Sequence, residues 1–249
     1  MELVIHTIPA GHPLHDYVDS FWMLHNTSGS TKEVIILPDG RVDLFFSRSS
    51  AQPYHVNLLG LGTRADEASI VPGALIFAAS FKLPAVEYIL HEDIATLADS
   101  GKNLPNNFWG FTDKDLQHFD QFCDKITSAI TVRLSNDTDN RKLELFRLLY
   151  AANGSLSVKE LSEKVFWSSR QVNRYFNQQF GVPLKTYSSI LRFRASFGHI
   201  KEGKLFPRED FADQSHFIRE VKRLSGVVPR ELSRNINDRF IQFSSFSSE

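Results

Sequence analysis

Two stretches of the chain carry residue types and spacings that could do chemistry. The first is DQSHFIREVKRLSG, residues 213–226, where Ser215 beside His216 suggests a nucleophile with its base, and Arg219, Lys222 and Arg223 suggest a surface for a polyanion. Helical geometry argues against the catalytic reading. Neighbouring residues on a helix point about 100° apart, so His216 is badly placed to take the proton of Ser215. An acid partner for His216 is also not evident. The second stretch is SRQVNRYFNQQF, residues 169–180. There Arg170, Asn173, Arg174 and Asn177 recur at i, i+3, i+4 and i+7 and share one face. Val172, Phe176 and Phe180 recur every four residues on the other. Arginine can bond bidentately to guanine O6/N7 and asparagine to adenine N6/N7, so this is a usable set for reading the major groove. The competing reading is an ordinary amphipathic helix with a solvated polar face.

The two stretches are copies of one another. A shift of 45 residues places Arg174 on Arg219, Phe176 on Val221, Gly181 on Gly226 and Val182 on Val227, so RYFNQQFGV becomes REVKRLSGV. Internal repetition is a stronger signal than a single motif. In the second copy Phe217, Val221 and Leu224 turn inward, and Gln214, Ser215, Ile218, Arg219 and Lys222 lie on or beside the open face.

The surrounding sequence supplies elements to position both helices. Residues 140–152 read as a helix ended by Asn153-Gly154. Ser157 with Glu160 forms an S-x-x-E capping box ahead of VKELSEKVF, and Ser168 caps the helix that Gly181 stops. Helix, tight turn, helix is the pattern of a helix-turn-helix. Between the copies, residues 183–200 read as one connecting helix, with Leu184, Tyr187, Ile190, Leu191 and Ala195 as its stripe and Arg192 and Arg194 as positive charge. A rigid connector that holds the two reading helices roughly 34 Å apart would set them in successive major grooves.

Charge is divided in the same way. The net charge is −1, yet residues 1–142 carry 11 Lys+Arg against 18 Asp+Glu, and residues 143–249 carry 17 against 11. An acidic half joined to a basic half fits a chain in which one domain meets a polyanion. A single cysteine, Cys123, excludes an intramolecular disulfide framework and points to a reducing compartment. No signal peptide and no spanning apolar run is evident, so a cytoplasmic protein that does not enter a membrane is expected.

The N-terminal half reads as β-rich. VIILPDGRVDLFF (34–46) is strand, turn, strand, and the apolar runs at 55–62 and 69–81 are punctuated by glycine and proline. Short strands with such turns suggest an antiparallel barrel or sandwich. Leu14, Val18, Phe21 and Trp22 fit one face of a short helix. A long helix is expected at 112–134, opened by Thr112 with Asp115 and striped by Leu116, Phe119, Phe122, Cys123, Ile126 and Ile130; the stripe suits internal packing or a dimer interface. Residues 135–140 form a polar boundary, giving domains 1–138 and 139–249. The histidines form no His-x-His pair, and there is no GxSxG, P-loop, GxGxxG or CxxC, so neither a metal nor a cofactor is expected.

Taken together, LSVKELSEKVFWSSRQVNRYFNQQFGVPLKTY, the R-F-R-A that follows, and DQSHFIREVKRLSGVVPREL resemble the AraC/XylS transcriptional regulators over about 143–236. The resemblance implies two helix-turn-helix subdomains joined by a linker helix, with base-facing positions at Arg170, Asn173 and Arg174, then at Gln214, Ser215 and Arg219, and Ile218 against a thymine methyl. FWML, LPDGRVDLFF and the glycine-rich strands fit the sensor domains attached to that family. The whole is then α+β: a β-rich, barrel-like sensing or association domain followed by an all-α DNA-binding domain of a bacterial regulator. Its partners would be double-stranded DNA, with a small-molecule effector and a homodimer as open options. One departure stands out: EGKLFPRED replaces the supporting helix of the second subdomain, and Gly203 and Pro207 oppose a continuous helix there. The alternatives are an adaptor with a degenerate helix-turn-helix domain, or a barrel enzyme with a helical accessory domain. The tail, with Phe240, Ile241 and Phe243, is expected to pack back on the protein and then fray.

Overall fold

A computed structural model of the chain describes residues 1–206 and 211–245. They fall into two compact units. The first comprises Met1–Lys32, Arg41–Gly60 and Ser69–Asp139; the second comprises the chain from Asn140 onward together with Glu33–Gly40 and Leu61–Ala68.

The strands are β1 (Glu2–Thr7), β2 (Val18–His25), β3 (Lys32–Ile36), β4 (Val42–Arg48), β5 (His55–Leu59), β6 (Asp66–Ile70), β7 (Leu75–Phe81) and β8 (Gly101–Leu104). Six make one sheet in the order β1-β2-β7-β4-β5-β8, and β3 pairs with β6. The barrel-like expectation is therefore corrected. A barrel needs every strand hydrogen-bonded on both sides, whereas this sheet is open with β1 and β8 as its edges.

The short helix expected at Leu14–Trp22 is also corrected. Only one helical turn forms, closed by Val18 N–H to the Leu14 carbonyl. Phe21 and Trp22 then enter β2, between β1 and β7. Two ladders of hydrogen bonds outweigh a weak 3.6-residue pattern in a run rich in aromatic and β-branched residues. The β2–β7 register shifts between Val18 and Ser20. At that shift Asp19 accepts from Arg41 Nη2 at 2.8 Å, a largely buried ion pair.

The single helix expected over 112–134 is two elements. Thr112 and Asp115 do form a capping box, but over a 3₁₀ turn, Asp113–Leu116. Helix α1, Phe119–Arg133, starts afresh after His118. It buries Phe122, Ile126 and Ile130. Phe122 meets Phe46, Phe77 and Phe111 with ring centroids 5.3–5.5 Å apart, so the apolar stripe packs on the sheet of its own unit.

The second unit is built on α2 (Asn140–Ala151), α3 (Val158–Lys164), α4 (Ser169–Phe180), α5 (Leu184–Ala195), α6 (Phe197–Lys201), α7 (Gln214–Ser225), α8 (Pro229–Arg234) and α9 (Ile241–Ser245). The connector expected as one helix is broken at Ser196, whose N–H is shared between the Arg192 and Phe193 carbonyls while its Oγ donates to Phe193 O at 2.6 Å. Such i−3 bonding tightens the turn and turns the chain into α6. Residues 202–206 form no helix, and Pro207 lies outside the described residues.

The core of this unit draws on three separated segments. Leu37 is buried with Ile190, Phe193, Phe217, Val221 and Leu224, and the tail adds Phe240 and Phe243. Ile35 N–H donates to Arg239 O at 2.6 Å, Leu37 N–H donates to Gln242 Oε1 at 2.8 Å, and the buried Tyr187 hydroxyl donates to Gly40 O at 3.1 Å. Gly40 has φ +76°, and a Cβ there would stand 3.2 Å from both Leu191 and Tyr187. Glycine thus satisfies both the left-handed backbone and the close approach.

Candidate nucleic-acid interface

Each candidate reading helix is delimited by its own side chains. Ser168 Oγ accepts from Gln171 N–H at 3.2 Å, and Gln171 Oε1 accepts from Ser168 N–H at 2.8 Å. At the other end Gly181, at φ +72°, donates to Asn177 O. The second copy uses Asp213, whose Oδ1 accepts from His216 N–H at 2.7 Å, and Gly226 at φ +78°, which donates to Lys222 O. α4 and α7 have the same length of 12 residues, and their caps fall at equivalent positions. These devices satisfy backbone groups that a helix end leaves open, which fixes where each helix begins and stops.

Each helix is clamped from beneath. Val172, Phe176 and Phe180 are buried under α4, with Phe176 and Phe180 ring centroids 5.8 and 5.9 Å from Phe146. Phe217, Val221 and Leu224 are buried under α7, and Phe211 packs on Phe217 at 5.1 Å. α2 is fixed to α5 through Gly154, where a Cβ would stand only 2.4 Å from the Ser188 carbonyl oxygen. The Gly154 carbonyl in turn accepts from Arg192 Nη1, so this arginine is committed to packing the connector.

The candidate residues fall on the outer faces with differing freedom. Arg170, Arg174 and Asn177 are exposed on α4, and Asn173 is half-buried. The amides of Asn173 and Asn177 donate to the carbonyls four residues earlier, Ser169 and Asn173. Ser215, Ile218, Arg219 and Lys222 are exposed on α7. Arg170, Arg174, Arg219 and Lys222 make no ion pair among the described residues. Gln214 is held differently: it is half-buried, and its Nε2 donates to the Leu205 carbonyl at 2.8 Å. His216 Nδ1 accepts from Ala212 N–H at 3.2 Å, so this imidazole closes a turn and is not oriented on Ser215.

Several side chains at this surface were not singled out by the sequence reading. Arg141, Trp167, Gln171, Tyr175 and Gln178 surround a cleft of about 280 Å³ together with Arg174. Phe166, in the turn before α4, is 89% exposed and sits at φ +55°. Its signal was an aromatic residue in the turn between two capped helices; left-handed backbone is uncommon for so bulky a residue.

Among the described residues no group of three or more His, Cys, Asp or Glu could hold a metal ion, and no helix is long and apolar enough to cross a membrane.

Residues 6–102 match the model of a domain of unknown function, DUF6597. Curated proteins give no match. Among solved structures the chain is similar to ToxT from Vibrio cholerae strain SCE256. The apo form of a ToxT variant is 12% identical, with 86% of this chain and 97% of that chain covered and a TM-score of 0.45. The wild-type form bound to an unsaturated fatty acid is 13% identical, with 87% and 99% covered and a TM-score of 0.44.

Proposed function

We propose that the chain is a sequence-specific DNA-binding transcriptional regulator. Its helical unit reads promoter DNA through α4 and α7, and its sheet unit senses a small-molecule effector or mediates association. The observation that carries this reading is the pair of matched helices. Both are 12 residues long, N-capped by an oxygen side chain, stopped by a left-handed glycine, and packed by aromatic and aliphatic residues below. Each leaves two exposed cations without an acidic partner among the described residues. Burying that much structure to hold a cationic and amide-bearing face outward suits recognition of base edges, with lysine and arginine contacts to phosphate adding salt-dependent affinity.

Arg170, Asn173, Arg174 and Asn177 are assigned to the first groove, and Ser215, Ile218, Arg219 and Lys222 to the second. Gln214 belongs to the same surface, with its amide anchoring the 205 carbonyl. The test is fluorescence anisotropy of the full chain with duplex DNA from its own upstream region and with scrambled duplex, at low and moderate salt. Tighter binding to the upstream duplex that survives moderate salt supports the reading. In that assay Arg174→Ala costs about 1–3 kcal/mol on the cognate duplex and relaxes preference at one position. An equal loss on every sequence would make Arg174 a phosphate contact.

A further inference from the structure

The face of the six-stranded sheet turned away from α1 carries a serine–histidine pair that the DNA reading does not use. α1 packs on the face that holds Phe46 and Phe77. Side chains alternate along a strand, so Phe45 and Ser47 of β4 lie on the opposite face. The register sets Ser47 between His55 of β5 and Ile76 of β7, and Phe45 between Asn57 and Ala78. Ser47 Oγ is 2.9 Å from His55 Nε2, and His55 Nδ1 is 2.8 Å from the Pro53 carbonyl oxygen. A carbonyl oxygen only accepts, so in the neutral ring Nδ1 carries the proton, Nε2 presents its lone pair, and the Ser47 hydroxyl donates to it. Asn57 is the diagonal neighbour of Ser47, about 7–8 Å away. Its Oδ1 is buried without a partner, and its side-chain N–H₂ is bonded to nothing among the described residues. Phe45, Ile76, His55 and Asn57 are half-buried, and Trp22 meets Phe45 edge to face at 5.1 Å.

We infer that Ser47 is an acyl-accepting nucleophile, with His55 as its base and the Asn57 amide as donor to the oxyanion, and that it takes the acyl group of an activated ester of a short apolar acid. The inference goes beyond DNA binding and stands apart from it. Three observations carry it. The hydroxyl is already hydrogen-bonded to the lone pair of its base, and the Pro53 carbonyl orients that base, the order of nucleophile, base and orienter that acyl transfer needs. Buried polar atoms are almost always satisfied, so the unpartnered Asn57 carboxamide marks a place where a bound molecule completes the bonding. Phe45 and Ile76 supply apolar surface beside Ser47 for the acyl chain. The Ser47–His55 pair is the last of the β4–β5 ladder, next to the exposed turn at 50–53, and from that side a substrate reaches Ser47, which is 8% exposed. In the step, the Ser47 oxygen forms a bond to the ester carbonyl carbon while its proton passes to His55 Nε2. The Asn57 N–H₂ donates to the resulting oxyanion. Collapse breaks the bond to the leaving group, which departs as an alcohol with the proton from His55, and Ser47 is left as an ester.

The test mixes the full chain with p-nitrophenyl acetate and follows p-nitrophenolate release, then locates the acetyl group by peptide mass spectrometry. The wild type is expected to give a burst of about one equivalent, with the acetyl group on Ser47. Ser47→Ala is expected to abolish the burst. His55→Gln is expected to slow it about 100-fold or more, as loss of a general base does. Asn57→Ala is expected to slow it about 100-fold while leaving acetylation on Ser47, as loss of one oxyanion donor does. Melting curves that match the wild type show that the variants fold, and the wild type decides the matter even where a variant does not. A wild type that releases p-nitrophenolate no faster than the urea-unfolded chain overturns the inference. So does acetyl found on lysine and absent from Ser47. A folded His55→Gln chain that reacts at the wild-type rate also overturns it, because the geometry then activates nothing. DNA binding by a wild type that takes no acetyl group on Ser47 overturns this site alone and leaves the DNA reading standing.

Discussion

Leu37 offers the sharpest test of how the helical unit is assembled. It lies in the N-terminal part of the chain, yet it is 1% exposed within a core otherwise drawn from residues beyond 189. Replacing it with alanine removes three carbon atoms. At about 0.8 kcal/mol per buried CH₂ this costs about 2.4 kcal/mol. The remaining space lies among Ile190, Phe193 and Phe217, large side chains that close only partly around a cavity, which brings the total to about 3 kcal/mol. The assay is native-state hydrogen exchange on the full chain. A loss of about 3 kcal/mol speeds exchange through opening of this core roughly 100-fold. The acceleration is expected at the amides of Phe217, Val221 and Leu224 in α7, and not at Ala78 and Ala79 in β7, which belong to the other unit. A change below about 0.5 kcal/mol in α7 would show that residues 33–40 merely lie on the helical core and do not complete it. An equal acceleration in β7 would refute the separation into two units.

Two further outcomes follow from local features. Phe166 sits at φ +55° with 89% of its surface exposed, so Phe166→Gly relieves about 1–2 kcal/mol of left-handed strain against about 0.5–1 kcal/mol of added chain entropy. The expected result is a net gain of about 0.5–1 kcal/mol in a denaturant titration, and a loss would mean that Phe166 packs against something in the folded chain. At Cys123, burial first, then Asp120 and Asp124, push the thiol up to about 12. The neutral thiol is therefore the form that the fold favours: this contribution to stability is complete below pH 9, the ordinary thiol value, and is lost as pH rises toward 12. Alkylation by iodoacetamide is expected to stay far slower than for a free thiol through pH 10, and alkylation at the free-thiol rate at pH 8 would contradict it.

What the sequence by itself determined is what short-range chemistry controls. The four-residue spacing of Val172, Phe176 and Phe180, the caps at Ser157 and Ser168, and the stop at Gly181 each act within a few residues, so α3 and α4 were legible, and the 45-residue repeat carried the reading to α7 and Gly226, while the Asp213 cap was seen only in the structure. Tertiary structure decided the rest, because the deciding partners are distant in sequence. Phe21 and Trp22 left a helical pattern for β2 because β1 and β7 supply two hydrogen-bonded neighbours. The long N-terminal helix restarted after His118, where Phe119 and Phe122 turn to meet Phe77. The sheet is open because β1 and β8, at its two ends, each have a single neighbour in it. The cleft and the three-segment core were illegible for the same reason: Arg141 reaches Trp167 across 26 positions, and Leu37 reaches Gln242 across 205. Caps and periodicity specify an element, but which faces meet depends on burial and hydrogen bonds that exist only once the chain has closed on itself.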